Sequence, residues 1–435
     1  MASPTEELAE FVSALNASAV PPAMSALVSQ HVLDIIAGIY TGCGVAEAAS
    51  VAPLIAHDDA AFCGKLAMLS HAAESDPIHA GTTVCAGLIA VPPALLFSPD
   101  GPTAIAAVTA GYETAIRIGE ALGSSRLLGQ GWWPTAVLGG AGAAAATSRA
   151  LGLDAGQTQN AIALALVQSG GLGTGAPDAP ESRNLLATNT IRIGVEAAQA
   201  AAAGLKGPAD PLTGDRGFLT AFGFEPDPGR LLHGLGIDWK IAETSLKAFP
   251  CALQAQSALT ALRDAMAKDH LSVAEIDAIE FGLPGAMCRI VDRPGPPGSR
   301  FAAAASLQFL AAAFLCDGDI LPARMDDGAR ASADVVSLMR KISVTHDAEL
   351  DAAFPAAWPA RVRILTAAGT SECEILNPQG HPDHPIDTVA TIERFRAYSR
   401  ERLGSDAQDA TLAAVRGLAT LQDMSALTTP LREIL

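Results

Sequence analysis

Apolar positions recur with a helical period along most of the chain up to about Gly236. Over residues 24–40, Leu27, Val28, Val32, Leu33, Ile36 and Ile39 fall on one stripe. That spacing predicts an amphipathic helix entered through Pro21-Pro22 and stopped near Gly42 and Gly44. Ala-rich amphipathic segments over 104–121, 135–151, 154–167 and 190–204 predict further helices, and an apolar segment over 83–97 is interrupted by Pro92-Pro93. No strand alternates with these helices, which disfavours a doubly wound nucleotide-binding sheet. Gly139-Gly140-Ala141-Gly142 lies inside a helical run and lacks the GxGxxG spacing, so close helix packing explains it better than a phosphate loop.

Beyond Gly236 the texture changes. Residues 257–268 read as helix and 276–283 (IDAIEFGL) as a strand. A Pro-rich loop over 294–298 leads to a buried helix over 301–316. Two further strands, 360–367 and 371–376, are joined through Ala368-Gly369-Thr370 as a hairpin. After the turn-rich run PQGHPDHP the pattern returns to helix from about Thr388 to Glu433. The expected domains are therefore an all-helical one from residues 1–240 and 386–435, and a smaller inserted α+β one from 241–385.

Composition narrows the class. The 435 residues are 49% hydrophobic and only 17% charged, which argues against disorder, and the length suffices for a large core. The formal net charge of −18, with no Lys/Arg run, makes nucleic acid an unexpected partner. The apolar stretch 301–316 is short for a membrane span and carries Ser306 and Gln308, so no membrane partner is expected. Seven irregularly spaced cysteines without a CxxC pair fit a reducing compartment, and the acidic N-terminus lacks the order of a signal peptide. A cytoplasmic protein is expected.

Several local patterns, in register, resemble the MmgE/PrpD family. They are HAAESDPIHAG (71–81), GYETAIRIG (111–119) with GWWPTAVLGGAGAAAA from Gly131, IRIGVEAAQAAAAGLKGP (191–208), KAFPCALQAQ (247–256), SLQFLAAAFLCDG (306–318) and GHPDHPID (380–387). The resemblance implies a mostly α fold, with a large all-helical domain built from both chain ends and a smaller α+β lid. It also implies a homodimer and a lyase or isomerase acting on a small anionic carboxylate. Neither the resemblance nor any ligand spacing implies a metal or an organic cofactor.

Such chemistry removes a proton, or CO2, from a carbon next to a carboxylate. It requires a base, cations or donors for the carboxylates, and a group for the second proton. His79 is the leading candidate, with Asp76 and Glu74 as acids that could orient it; Ser75-Asp76-Pro77 is also good turn chemistry. Lys247, opening KAFPC, is the second candidate, as a carboxylate partner or proton-transfer group.

The resemblance places Trp133, Thr135, Asn189, Arg192, Gln256 and Phe309 at substrate-facing positions. Trp133 stands where the family has His, Asn189 where it has Lys with Arg192 close by, Gln256 where it has His, and Phe309 where it has Tyr. These exchanges weaken the transfer of dehydratase or decarboxylase activity more than that of an epimerase. Lyases are nevertheless the commoner activity in the family, so a lyase acting on a small di- or tricarboxylate remains the first expectation and a two-base epimerase the alternative. The exchanges also leave open a homologue that only binds a ligand or partner. His233 is expected to be structural, and His381 and His384 sit in an exposed-looking turn with no third metal ligand at a sensible spacing. Cys251 and Cys288 are expected to be inert buried thiols.

Overall fold

The computed structural model describes residues 3–55, 58–173, 180–223 and 225–433. The chain divides into two compact units, Met1–Thr244 with Asp387–Leu435, and Ser245–Ile386. In chain order the helices of the first stretch are α1 (Pro4–Ala14), α2 (Pro22–Gly42), α3 (Ala46–Val51), α4 (Asp59–Ala72), α5 (Ala86–Phe97), α6 (Gly101–Leu122), α7 (Pro134–Ala150), α8 (Ala155–Leu166), α9 (Pro180–Ala202) and α10 (Phe218–Phe222). The second unit carries α11 (Leu253–Lys268), α12 (Gly285–Val291), α13 (Arg300–Ala304), α14 (Leu307–Asp317), α15 (Asp327–Arg330) and α16 (Ala333–Met339). The chain then returns to the first unit with α17 (Thr388–Ser399), α18 (Ser405–Arg416) and α19 (Ser425–Glu433). The protein is mostly helical.

The helical unit is held by close backbone approach. α6 and α7 pack together and against α5, and α7 also packs on α9. A Cβ built on Gly111 of α6 would stand 2.6 Å from the Cβ of Ala90, and one on Gly142 of α7 would stand 2.7 Å from Ile89. Glycine and alanine are therefore needed here to let helices touch without spacers, as the GGAG run suggested. α6 starts where Asp100 Oδ1 accepts the Thr103 amide at 2.8 Å, with Pro102 in its first turn. It stops at Gly123, whose φ of 69° is open mainly to glycine.

α2 has the length and apolarity of a membrane span. It nonetheless packs against α4 and α17, and its buried Asp34 pairs with Arg394 of α17 at 2.7 Å, so it is a core helix. This ion pair ties the returning C-terminal helices to the first unit.

The second unit contains a four-stranded sheet of β1 (Ile276–Leu283), β2 (Ile342–His346), β3 (Ala360–Thr366) and β4 (Gly369–Ile375), in the order β2-β1-β3-β4. β1 runs parallel to β2 and antiparallel to β3, and β3 and β4 form the hairpin signalled by Ala368-Gly369. α11 lies against β3 and β4.

Several expectations need correction. Pro92 and Pro93 lie inside α5 rather than interrupting it; the neighbouring helices hold the segment helical although two donors are missing. The apolar stretch 301–316 is two helices, α13 and α14, broken at Ala305-Ser306, where Ser306 Oγ caps the Phe309 amide at 3.2 Å. α9 begins at Pro180, ten residues earlier than the Ala-rich pattern indicated. β2 was missed because five residues with a mixed burial pattern give too little alternation to see.

Candidate active site around His79

The site is built on the segment that joins α4 to α5. α4 ends at Ala72, and Glu74 adopts a left-handed conformation with φ 58°. Thr83 does the same with φ 55°. Such conformations cost a non-glycine residue about 1–2 kcal/mol each, and strain of this kind gathers where a chain must aim its side chains. Between them His79 pairs with Val84, the His79 amide donating to the Val84 carbonyl at 2.9 Å.

This turn fixes the imidazole. The Thr82 amide donates to His79 Nδ1 at 3.2 Å, and Thr82 Oγ1 lies 2.8 Å from the same nitrogen. A backbone N–H can only donate, so Nδ1 accepts and the ring proton sits on Nε2. Nε2 faces Glu243 Oε2 at 3.5 Å, longer than a tight N–H···O bond and therefore chiefly an electrostatic contact.

Glu243 lies on the short 3₁₀ turn Lys240–Glu243, still within the first unit. Lys240 Nζ reaches Glu243 Oε1 at 3.0 Å and Glu120 Oε1 of α6 at 3.0 Å. Burial alone would raise the Glu243 carboxyl. The neighbouring His79 and Lys240 outweigh that and hold it down at about 2. It is a carboxylate at any ordinary pH. His79, Glu120 and Glu243 bring three possible metal-ligand atoms within 4.8 Å of one another. The Lys240 ammonium already occupies the cation's place between the two carboxylates, which makes this donor set a poor metal site.

The acids expected behind His79 are engaged elsewhere. Asp76 Oδ2 lies 3.3 Å from Nδ1 of His71, and both side chains are fully enclosed. Glu74 pairs with Arg183 of α9 at 2.7 Å. Two residues of separation along the segment turn Glu74 and Asp76 to different neighbours. His71, Asp76 and Cys85 form a second set with three ligand atoms within 4.8 Å, entirely buried.

The remaining expected residues are spread out. The Trp133 ring packs 4.9 Å from that of His71, with the Arg183 guanidinium 5.2 Å from its centroid. Thr135 is buried in the first turn of α7 and accepts the Cys85 amide at 3.1 Å. Asn189 is half-buried on α9. Arg192 pairs with Glu196 on a half-exposed face of that helix at 3.7 Å. Nine residues separate Arg192 from Arg183, which at 100° per residue puts them on opposite sides of α9.

Lys247, Gln256 and Phe309 belong to the second unit. Lys247 is buried. Gln256 ties the KAFPC turn, accepting the Phe249 amide at 3.1 Å and donating to the Phe249 carbonyl at 2.8 Å. Phe309 is fully enclosed core on α14. Burial raises the Cys288 thiol. Cys251 is buried, with its sulfur 3.2 Å from the Gln256 amide nitrogen. His381 sits in a turn beside Asp383, and burial lowers it. None of the three has a nucleophile's or ligand's setting.

Sequence reasoning missed Glu243, Lys240, Glu120, Thr82 and Arg183. Thr82 alone had a usable signal, since it lies three residues after His79. Glu120 closes a helix whose GYETAIRIG pattern had been noticed without a role for it.

Two family descriptions match the chain: the MmgE/PrpD N-terminal domain over residues 56–230 and the MmgE/PrpD C-terminal domain over residues 249–420. Among similar proteins is a cis-aconitate decarboxylase-like protein of Aspergillus oryzae, 27% identical over 343 residues, covering 74% of this chain and 70% of that one. The cis-aconitate decarboxylase of Homo sapiens is 28% identical over 306 residues, 69% of this chain and 62% of its own length. The 2-methylcitrate dehydratase of Cupriavidus necator is 27% identical, covering 64% of this chain and 60% of the enzyme. With both domain descriptions matched in order across the helical and the α+β units, the chain belongs to the MmgE/PrpD family.

Proposed function

We propose that this protein is a cofactor-independent lyase acting on a small di- or tricarboxylate, with His79 as its proton-transfer group. The relatives named for decarboxylation and dehydration support the reaction class. The observation that carries the role of His79 is its fixed ring: Nδ1 held by Thr82, and Nε2 turned to a carboxylate that Lys240 keeps ionised. In that tautomer His79 enters the reaction as a proton donor at Nε2. The Glu243 carboxylate favours a positive ring, so a proton held at Nε2 can pass to a departing hydroxyl, or to the carbon that loses CO2, and leave the ring neutral.

A second reading is a homologue that binds without turnover. Trp133, packed against His71 and under Arg183, favours it, because apolar surface fills a position where the family has a titratable ring. The test is incubation with a panel of di- and tricarboxylates in D2O, followed by NMR. Loss of water or CO2 supports the lyase. Deuterium entering a carbon with neither loss selects an isomerase instead. Saturable binding with no exchange at all selects the binding-only reading.

A further inference from the structure

The buried pair Glu113–Arg117 in α6 has no place in the chemistry above, yet it holds the turn that carries Glu243 and Lys240. The two side chains are one helical turn apart, wholly enclosed, and joined by a 2.6 Å contact from Arg117 Nε to Glu113 Oε2. Arg117 spends its other donors on backbone. Nη1 donates to the His233 carbonyl at 2.5 Å, and Nη2 to those of Asp238 at 2.8 Å and Gly234 at 3.3 Å. Glu113 spends its second oxygen on the Lys240 amide at 2.7 Å. Burial pushes the Glu113 carboxyl up, and Arg117 opposes it.

A buried ion pair is a costly way to fill a core, since apolar residues of similar volume often serve as well or better. Here every polar contact beyond the pair itself ends on backbone between His233 and Lys240. That stretch includes Ile237, which is 78% exposed, and two left-handed glycines, Gly234 and Gly236. Trp239, buried against the Phe11 ring, anchors the end of the stretch, but with an exposed apolar side chain and permissive glycines packing fixes residues 233–238 weakly. The guanidinium fork clamps its carbonyls, and the Glu113 carboxylate fixes the first amide of the Lys240–Glu243 turn.

We propose that Glu113 and Arg117 are positioning residues that set Glu243 and Lys240 against His79, and that they thereby govern the state of the His79 ring. The inference rests on the reading of His79 and Glu243 given above. α6 itself adds Glu120, which meets the Lys240 ammonium from the helix side, so α6 supports the site at three levels: Glu113 on the backbone, Arg117 on the preceding loop, and Glu120 on the side chain.

The test uses the full-length protein labelled with ¹⁵N-histidine, with His79 assigned by comparison with His79→Gln. Long-range ¹H–¹⁵N spectra read which ring nitrogen carries the proton. Arg117→Lys keeps the charge but loses the fork, and Glu113→Gln keeps the shape but loses the charge. Both are compared with Glu243→Gln, and thermal melting monitors the fold in each.

The expected result is that Arg117→Lys and Glu113→Gln move the His79 ring signals in the same direction as Glu243→Gln. Their kcat should also fall about tenfold, with KM changed less than twofold. If Glu243→Gln moves the signals and the two α6 variants only lower the melting temperature, the positioning role is overturned while the His79–Glu243 reading stands. If none of the three moves them, both fall together.

Discussion

The last turn of α4 and the segment that follows it contribute to two histidine–carboxylate pairs in opposite settings. His71 and Asp76 lie five residues apart, 3.3 Å from each other, with essentially no access to solvent. His79 meets Glu243 from a distant part of the chain at 3.5 Å, and the Glu243 side chain is 42% exposed. Both pairs contain the same functional groups. The first is enclosed beside Trp133 and Cys85. The second has one ring nitrogen held by the Thr82 amide and the other turned to a half-exposed acid that is ionised at ordinary pH. Residue type marks candidates for chemistry; access and fixed orientation decide between them.

That contrast breaks first at His79. His79→Ala should lower kcat/KM by about 100- to 10,000-fold, the usual worth of a proton-transfer group. Melting temperature should stay within a few degrees of the parent, because the turn is held mainly by the His79 amide and Glu243 remains paired with Lys240. An unchanged kcat/KM would move the chemistry away from this histidine.

The buried pair should respond in the opposite way. Asp76→Ala removes the Nδ1 partner of an enclosed ring, which should cost about 2 kcal/mol of stability in urea unfolding. The turnover of the remaining folded protein should change little. A variant as stable as the parent but inactive would show that His71 and Asp76 act in catalysis and that the two pairs are not different in kind.

The smallest effect concerns acid stability. The folded-state value of Glu243, about 2, lies below its ordinary 4.5, so its stabilising contribution is complete above pH 4.5 and is lost as pH falls toward 2. Lys240→Met removes one of the charges responsible. The variant's melting temperature should lie about 2 °C below the parent's near pH 6, and the gap should close between pH 4.5 and 2. A constant gap across that range would assign the loss to packing instead.

Much of the secondary structure is legible in the sequence alone. The stripe in 24–40 lies within α2, IDAIEFGL is β1, and Ala368-Gly369 joins β3 to β4, because each depends on a period or turn within a few residues. The GGAG run was also legible, since small residues in a helical run mean close packing whatever the partner. The candidate site was legible only in part. His79 stands out as a candidate from its motif, but the acid that faces its Nε2 does not stand out among its neighbours in the chain.

The reason is the reach of the interactions involved. Periodicity, caps and turns are local, so the order of letters determines which segments are helix or strand and which faces are apolar. Which carboxylate meets an imidazole depends on how α6, the 233–243 loop and the α4–α5 turn come together. Those contacts are set by packing across the whole helical unit. In the sequence Glu74 and Asp76 stand nearest to His79. In the folded protein Glu74 meets Arg183, Asp76 meets His71, and the acid that faces Nε2 of His79 is Glu243.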